Sequence, residues 1–164
     1  MRHKRTEAVL ITGPVGVGKT SVAAEAGGLL AEQGGAAAVV DLDWLGWFPG
    51  GAEGGVDALI LRNLAAVWPN FQAAGAERLV LARSVRDPWL VGELRGAFDL
   101  RVVRLRASQE TVAERLSRRD TGAELDEQRA ERAEEADVAD FELANDGRPI
   151  REVAEELLRR LEWA

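Results

Sequence analysis

Eight residues, Gly13-Pro14-Val15-Gly16-Val17-Gly18-Lys19-Thr20, constrain what this chain can fold into more than any other feature. They satisfy G-x-x-x-x-G-K-[ST], and their surroundings give the match its weight. The apolar run Ala8-Val9-Leu10-Ile11 precedes them and reads as a buried strand. Ser21 to Ala31 follows, with Val22, Ala26, Leu29 and Leu30 at helical spacing. In a strand–loop–helix unit, glycines let the backbone turn tightly and bring successive N–H groups onto one point. The helix beginning near Lys19 adds its own unpaired N–H groups and a positive dipole end. Gly13 to Ser21 then form a cradle for phosphate, with Lys19 reaching the β- and γ-phosphates and the Thr20 hydroxyl on Mg²⁺.

Length and composition narrow the remaining choices. At 164 residues the chain is expected to form one domain, long enough to bury a core. No apolar run approaches the roughly 18 residues of a membrane span, and no signal-type apolar segment follows the basic start, so a cytoplasmic location is expected. Cysteine is absent and His3 is the single histidine, which excludes disulfides and thiolate or histidine metal clusters. The net charge of −7 argues against a nucleic-acid surface. That charge is uneven: 120–146 holds eleven acidic and two basic residues, which reads as a solvated helix face or a partner surface.

The rest of the chain alternates strand and helix. Ala36 to Leu42 reads as a second strand, ending at Asp41-Leu42-Asp43. An irregular stretch rich in glycine runs from Trp44 to Gly55, and a helix is expected from Val56 to Gln72. Leu79 to Ala82 is the third strand, leading into Arg83, and a helix opens at Pro88 and reaches Phe98. Leu100 to Leu105 is the fourth strand, followed by a helix with Ser108 as N-cap and by Arg115, Arg118 and Arg119. An acidic helix is expected over about 124–139, then a short strand over Phe141 to Ala144. A turn at Asn145-Asp146-Gly147 leads to a last helix whose apolar stripe is Ile150, Val153, Ala154, Leu157, Leu158 and Leu161.

Five apolar strands alternating with helices imply an α/β fold, a parallel sheet covered on both faces. Ligands of such sheets sit outside the carboxyl ends of the strands. The glycine loop, Asp41 and Asp43, Arg83, and Arg106 all fall at those ends. Alternation along the second strand places Asp41 and Asp43 on the same side.

With these residues in that order, the chain resembles the P-loop kinases of nucleoside-monophosphate-kinase type. That group includes adenylate, shikimate, gluconate and adenylyl-sulfate kinases and chloramphenicol phosphotransferase. The resemblance implies a three-layer P-loop fold with a five-stranded parallel sheet of order 2-3-1-4-5. It implies ATP-dependent phosphotransfer, with Mg²⁺, to a small-molecule hydroxyl or phosphate acceptor, in a monomer or weak homodimer. By resemblance, Asp43 is the acceptor-side base and Asp41 the Mg²⁺-shell residue, with the reverse assignment open. Arg115, Arg118 and Arg119 match the lid arginines, in a lid over about 115–126, or are surface charges paired with the acidic stretch. Asn145, with Asp146 and Gly147, matches the loop that cradles adenine or is a plain turn. Arg83 either holds a polar or anionic group of the acceptor or caps its strand. Trp44, Trp47 and Phe48 either stack on a planar or hydrophobic acceptor or pack beneath their own loop.

One departure matters: the third strand lacks the aspartate that follows the apolar residues of a Walker B strand. The metal carboxylate must then come from Asp41 or Asp43, or the metal is held by Thr20, ATP and water. The alternative function is a nucleotide-binding regulatory protein or slow NTPase without an acceptor. GTP-binding switches carry D-x-x-G after the third strand and N-K-x-D after a later one, and neither occurs at those places in this chain.

Overall fold

A computed structural model describes residues 4–51, 55–117 and 135–164. Strand β1 (Glu7–Thr12) is central, flanked by β3 (Arg78–Ala82) and β4 (Asp99–Arg106). The edges are β2 (Ala37–Asp41) and β5 (Phe141–Ala144), and the order is β2-β3-β1-β4-β5 with every pair parallel. The expected 2-3-1-4-5 sheet is therefore the observed one.

Side-chain alternation along β1 explains the two cores. Val9 and Ile11 face one way, toward helices α1 (Lys19–Glu32) and α5 (Ile150–Leu161). Ala8 and Leu10 face the other, toward α2 (Val56–Ala73) and α3 (Pro88–Ala97). All four are fully buried, as a central strand covered on both faces requires. Leu157 is fully buried between α5 and the sheet, and truncating such a residue to alanine costs about 2–5 kcal/mol. Helix α4 (Gln109–Ser117) follows β4, with Thr111 N–H donating to the Ser108 hydroxyl as the capping pattern predicts.

Three expectations need correction. Strand β2 stops at Asp41, and Leu42–Leu45 forms a 3₁₀ turn, because the Asp41 carboxylate accepts the Asp43 N–H at 3.0 Å and bends the chain. The alternation argument for Asp41 and Asp43 therefore does not apply. The acidic helix does not reach Ala139: residues 135–139 carry no helix, because their polar groups bond to the sheet side instead. Ala136 N–H donates to Val85 O, and Asp140 exchanges two hydrogen bonds with the Val102 backbone. The rest of that expected helix, with Arg118 and Arg119, lies outside the described residues. Third, Ile150 begins the last helix but is 45 % exposed rather than part of its buried stripe.

Candidate active site

The parallel register brings the strand ends together. Asp41 pairs with Ala82, Ala82 with Ile11, and Thr12 with Arg104, so the segments leaving β2, β3, β1 and β4 emerge along one edge. A cleft of about 720 Å³ opens there, walled by the phosphate loop, Asp41, Asp43, Trp44, Ser84, Arg115 and Asn145.

The loop from Gly13 to Gly18 takes a shape that only glycine adopts cheaply. Gly13, Gly16 and Gly18 have φ of 145°, 84° and 99°. A Cβ on Gly13 would lie 2.8 Å from Leu105 O, and one on Gly18 would lie 3.0 Å from Asn145 Nδ2, so the neighbours reinforce the backbone requirement. The Val17 side chain is fully buried in the core and anchors the loop there.

Helix α1 begins at Lys19 behind this loop with no side-chain cap and no acidic residue in its first turn. By contrast α3 is capped by Asp87 and carries Pro88 at its start. The first-turn N–H groups of α1 have no intrahelical acceptor and, with the dipole, suit an anion. Pro14, Val15 and Ser21 complete the loop surface, and Lys19 Nζ donates to Pro14 O at 2.9 Å.

Two side chains brace the loop from the far side of the sheet. Arg115 Nη1 and Asn145 Nδ2 both donate to Val17 O, at 3.0 and 2.6 Å. Arg115 Nη2 also donates to Asn145 O at 3.1 Å. Asn145 is 2 % exposed, and its backbone N–H donates to Arg106 O, extending the β4–β5 pairing by one bond. Its amide is thus committed to the loop backbone, while its Oδ1 is buried without a partner. Leaving such an acceptor unsatisfied costs about 1–3 kcal/mol.

At the end of the loop, Thr20 Oγ1 donates to Asp41 Oδ2 at 2.8 Å. Asp43 lies two residues on, its carboxylate largely exposed at the cleft and engaged through Oδ1 by Arg83 Nη1 at 2.6 Å. Arg83 Nη2 holds Asp57, at the start of α2, at 2.9 Å. Among the described residues no group of three or more acidic or histidine side chains gathers to hold a metal. Thr20 and Asp41 could offer hard oxygen donors to a divalent ion such as Mg²⁺, which would take its other ligands from phosphate and water.

Sequence reasoning missed three contributors. Ser84 Oγ donates to Gly13 O at 2.6 Å and ties the β3 end to the loop. Asp57 shares Arg83 with Asp43. Glu135, 3 % exposed, accepts from the Thr12 hydroxyl and pairs with Arg104 at 2.9 Å. No motif marks any of them; Asp57, in the first turn of an expected helix, reads as an ordinary end charge. Trp44, Trp47 and Phe48 do not pack beneath their loop: they are 70 %, 68 % and 60 % exposed.

No protein-family model matches the chain, and no curated protein matches it. Solved structures do. A sugar kinase of Janibacter is similar at 21 % identity over 97 % of this chain and 96 % of that one, with a TM-score of 0.67. The APS kinase of Mycobacterium tuberculosis, solved with AMPPNP and APS, is 24 % identical over 98 % and 99 %, with a TM-score of 0.68. The tunicamycin resistance protein of Deinococcus radiodurans is 20 % identical over 98 % of each chain, with a TM-score of 0.66. The chain has the fold of small-molecule P-loop kinases.

Proposed function

We propose that this protein is a phosphotransferase that moves the γ-phosphoryl group of ATP to a hydroxyl of a small molecule. The observation that carries this reading is one cleft with the phosphate loop on one wall and the Asp41–Asp43 pair on the other. In this reading Gly13 to Ser21 bind the nucleotide phosphates and Lys19 neutralises charge that develops on the transferred group. Thr20 and Asp41 would hold Mg²⁺, which would supply screening of the negative charge on the nucleotide phosphates. Arg115 braces the loop through Val17 O and lays its charge beside the phosphates, and Arg119 assists it on the resemblance alone. Asn145 braces the loop beneath the nucleotide.

Asp43 orients the acceptor hydroxyl and takes its proton as the acceptor oxygen bonds to the γ-phosphorus. The bond from that phosphorus to the β–γ bridging oxygen breaks, and ADP leaves with the electron pair. Arg83 fixes the Asp43 carboxylate through one oxygen, which limits its rotation without covering it. Trp44 forms the acceptor-side wall. Holding the two reactants in line supplies much of the acceleration in such a site.

ATP consumption measured with and without a panel of hydroxylated acceptors tests the reading. Acceptor-dependent ADP release with a phosphorylated product is expected. Slow hydrolysis indifferent to every acceptor would favour a regulatory NTPase instead. No described helix is long and apolar enough to cross a membrane.

A further inference from the structure

The acceptor half of the cleft is built unlike the phosphate half, and its chemistry narrows the acceptor. Trp44 lines the cleft, and Trp47 stacks on it with ring centroids 5.1 Å apart and planes inclined by 14°. Phe48 stands exposed beside them in the chain. Three large rings left in water are a poor outcome for folding alone, since burying each would stabilise the protein.

Nor are they carried on a slack loop. Gly46, between the two tryptophans, approaches α2 so closely that a Cβ would lie 2.7 Å from Val56 and 2.8 Å from Ile60. Asn63 Nδ2 donates to Leu45 O at 2.6 Å, and Gly46 N–H donates to Asp43 O. The base of the turn is therefore fastened to α2 while its rings face outward.

Charge completes the picture. Arg83, the cation expected to receive an anionic group, is shared between Asp43 and Asp57 and is only 17 % exposed. The triad carries one positive and two negative charges, so its net field repels an anion. Arg83 Nη1 and Nη2 each already hold a carboxylate and its Nε is buried, so an acceptor carboxylate, sulfate or phosphate would reach Arg83 only in competition with Asp43 and Asp57.

We infer that the acceptor is an uncharged hydroxylated molecule bearing a flat or apolar ring face, seated against Trp44 and Trp47, and that the Asp43–Arg83–Asp57 triad selects against anionic acceptors. This rests on the kinase reading only for the reaction, because the binding preference is measurable by itself. The alternative occupant of the rings is a second copy of this chain.

Three probes separate the contributions: methyl β-glucoside, p-nitrophenyl β-glucoside and p-nitrophenyl β-glucuronide. Calorimetry in the presence of Mg²⁺ and a non-hydrolysable ATP analogue reads binding, and labelled ATP reads transfer. The nitrophenyl glucoside should bind about tenfold or more tighter than the methyl glucoside, the difference an aromatic contact supplies. It should exceed the glucuronide by a similar factor. Trp44→Ala with Trp47→Ala should erase the first difference and leave ATP-analogue affinity within a few-fold. Asp57→Asn, which frees Arg83 of one partner, should narrow the second difference. Methyl shikimate against shikimate repeats the charge test on a second ring.

The pattern of binding with no transfer to any probe would keep the inference and remove the kinase reading. Transfer to the anionic probes and not to the neutral ones would keep the kinase and overturn the inference. Binding of none of the neutral ring probes would overturn it as well. So would a concentration-dependent dimer in sedimentation that the tryptophan variants abolish.

Discussion

On the phosphate side of the cleft, Arg115 and Asn145 converge on the carbonyl of Val17, and Val17 itself is buried in the core. On the acceptor side, Trp44 and Trp47 stand about 70 % exposed, and Arg83 is divided between two carboxylates. One wall is made of backbone, held in place by side chains. The other is made of side chains, held in place by a short turn. Phosphate has one shape in every nucleotide, so a backbone cradle serves for all of them. Acceptors differ, and side chains are what a chain varies without rebuilding its sheet.

If the phosphate wall does the common part of the chemistry, damage there should be the most severe. Lys19→Ala should lower the transfer rate by about 10²–10³ or more, as removal of a preorganised catalytic charge does. The melting temperature should be unchanged, since Lys19 Nζ bonds to the loop carbonyl of Pro14 rather than to the core. Transfer assays beside thermal melts check both halves of this expectation, and wild-type turnover would remove the loop from the mechanism.

The next effect sits on the boundary between the walls. Asp43→Asn keeps the shape and removes the charge, so transfer should fall by roughly 10²-fold while ATP affinity stays within a few-fold. The contrast is with Asp41, whose carboxylate accepts from the Thr20 hydroxyl at 2.8 Å and is the one assigned to Mg²⁺ in the proposed reading. A large loss of Mg·ATP binding in Asp43→Asn would reverse the two assignments. Stopped-flow transfer and nucleotide titration must therefore be measured on the same variant.

This asymmetry also explains what was legible in the sequence. Gly13, Gly16 and Gly18 could be read because their positive φ values demand glycine, and a backbone demand leaves a residue signature. The sheet order followed the same way, since apolar runs such as Leu79 to Ala82 advertise buried strands. Asp43 is expected at the cleft because it follows a strand end, and it lines the cleft. Only the same-side argument fails, because a 3₁₀ turn set by the Asp41 side chain replaces strand alternation there. Asp57 and Ser84 were invisible because their partners, Arg83 and Gly13, are 26 and 71 residues away. Nothing local distinguishes a carboxylate that meets a distant arginine from one that meets water. Exposure of the tryptophans was equally unreadable, for a bulky ring in an irregular stretch has no period to reveal its side.

A milder perturbation asks whether the two walls are separable. Arg115→Ala removes two hydrogen bonds from a charged donor, to Val17 O and Asn145 O. Bonds of this kind contribute about 1.5–3 kcal/mol each, and part of that is returned by water at a half-exposed site. The KM for ATP should rise about tenfold, with the acceptor KM little changed. Steady-state kinetics with each substrate varied in turn decides it. A rise confined to the acceptor KM would mean that bracing of the loop is transmitted to the other wall.

The smallest effect concerns the hinge of the phosphate wall. Asp146 Oδ1 accepts the Ser108 N–H at 2.7 Å and so ties the turn after β5 to the start of α4, the two segments that carry Asn145 and Arg115. That N–H, then the Thr111 hydroxyl and more weakly the Arg115 charge, hold the Asp146 carboxyl below its usual range despite a small opposing desolvation. A folded-state pKa below the unfolded value, about 3.9, means the unfolded chain binds the proton more readily. The stabilisation is therefore complete above that value and is lost as pH falls through the lower, folded one. Asp146→Asn keeps an oxygen for the Ser108 N–H and removes only the charge. It should melt slightly below the wild type at pH 7, and the gap should close in acid, where both side chains are neutral. Paired melts from pH 7 down to about 2 read this directly. Equal melting of the two proteins at pH 7 would assign the tie to the hydrogen bond alone. A gap that closes, accompanied by weaker ATP binding in the variant at pH 7, would place the charge of Asp146 among the supports of the phosphate wall, with acceptor binding as the control that should not move.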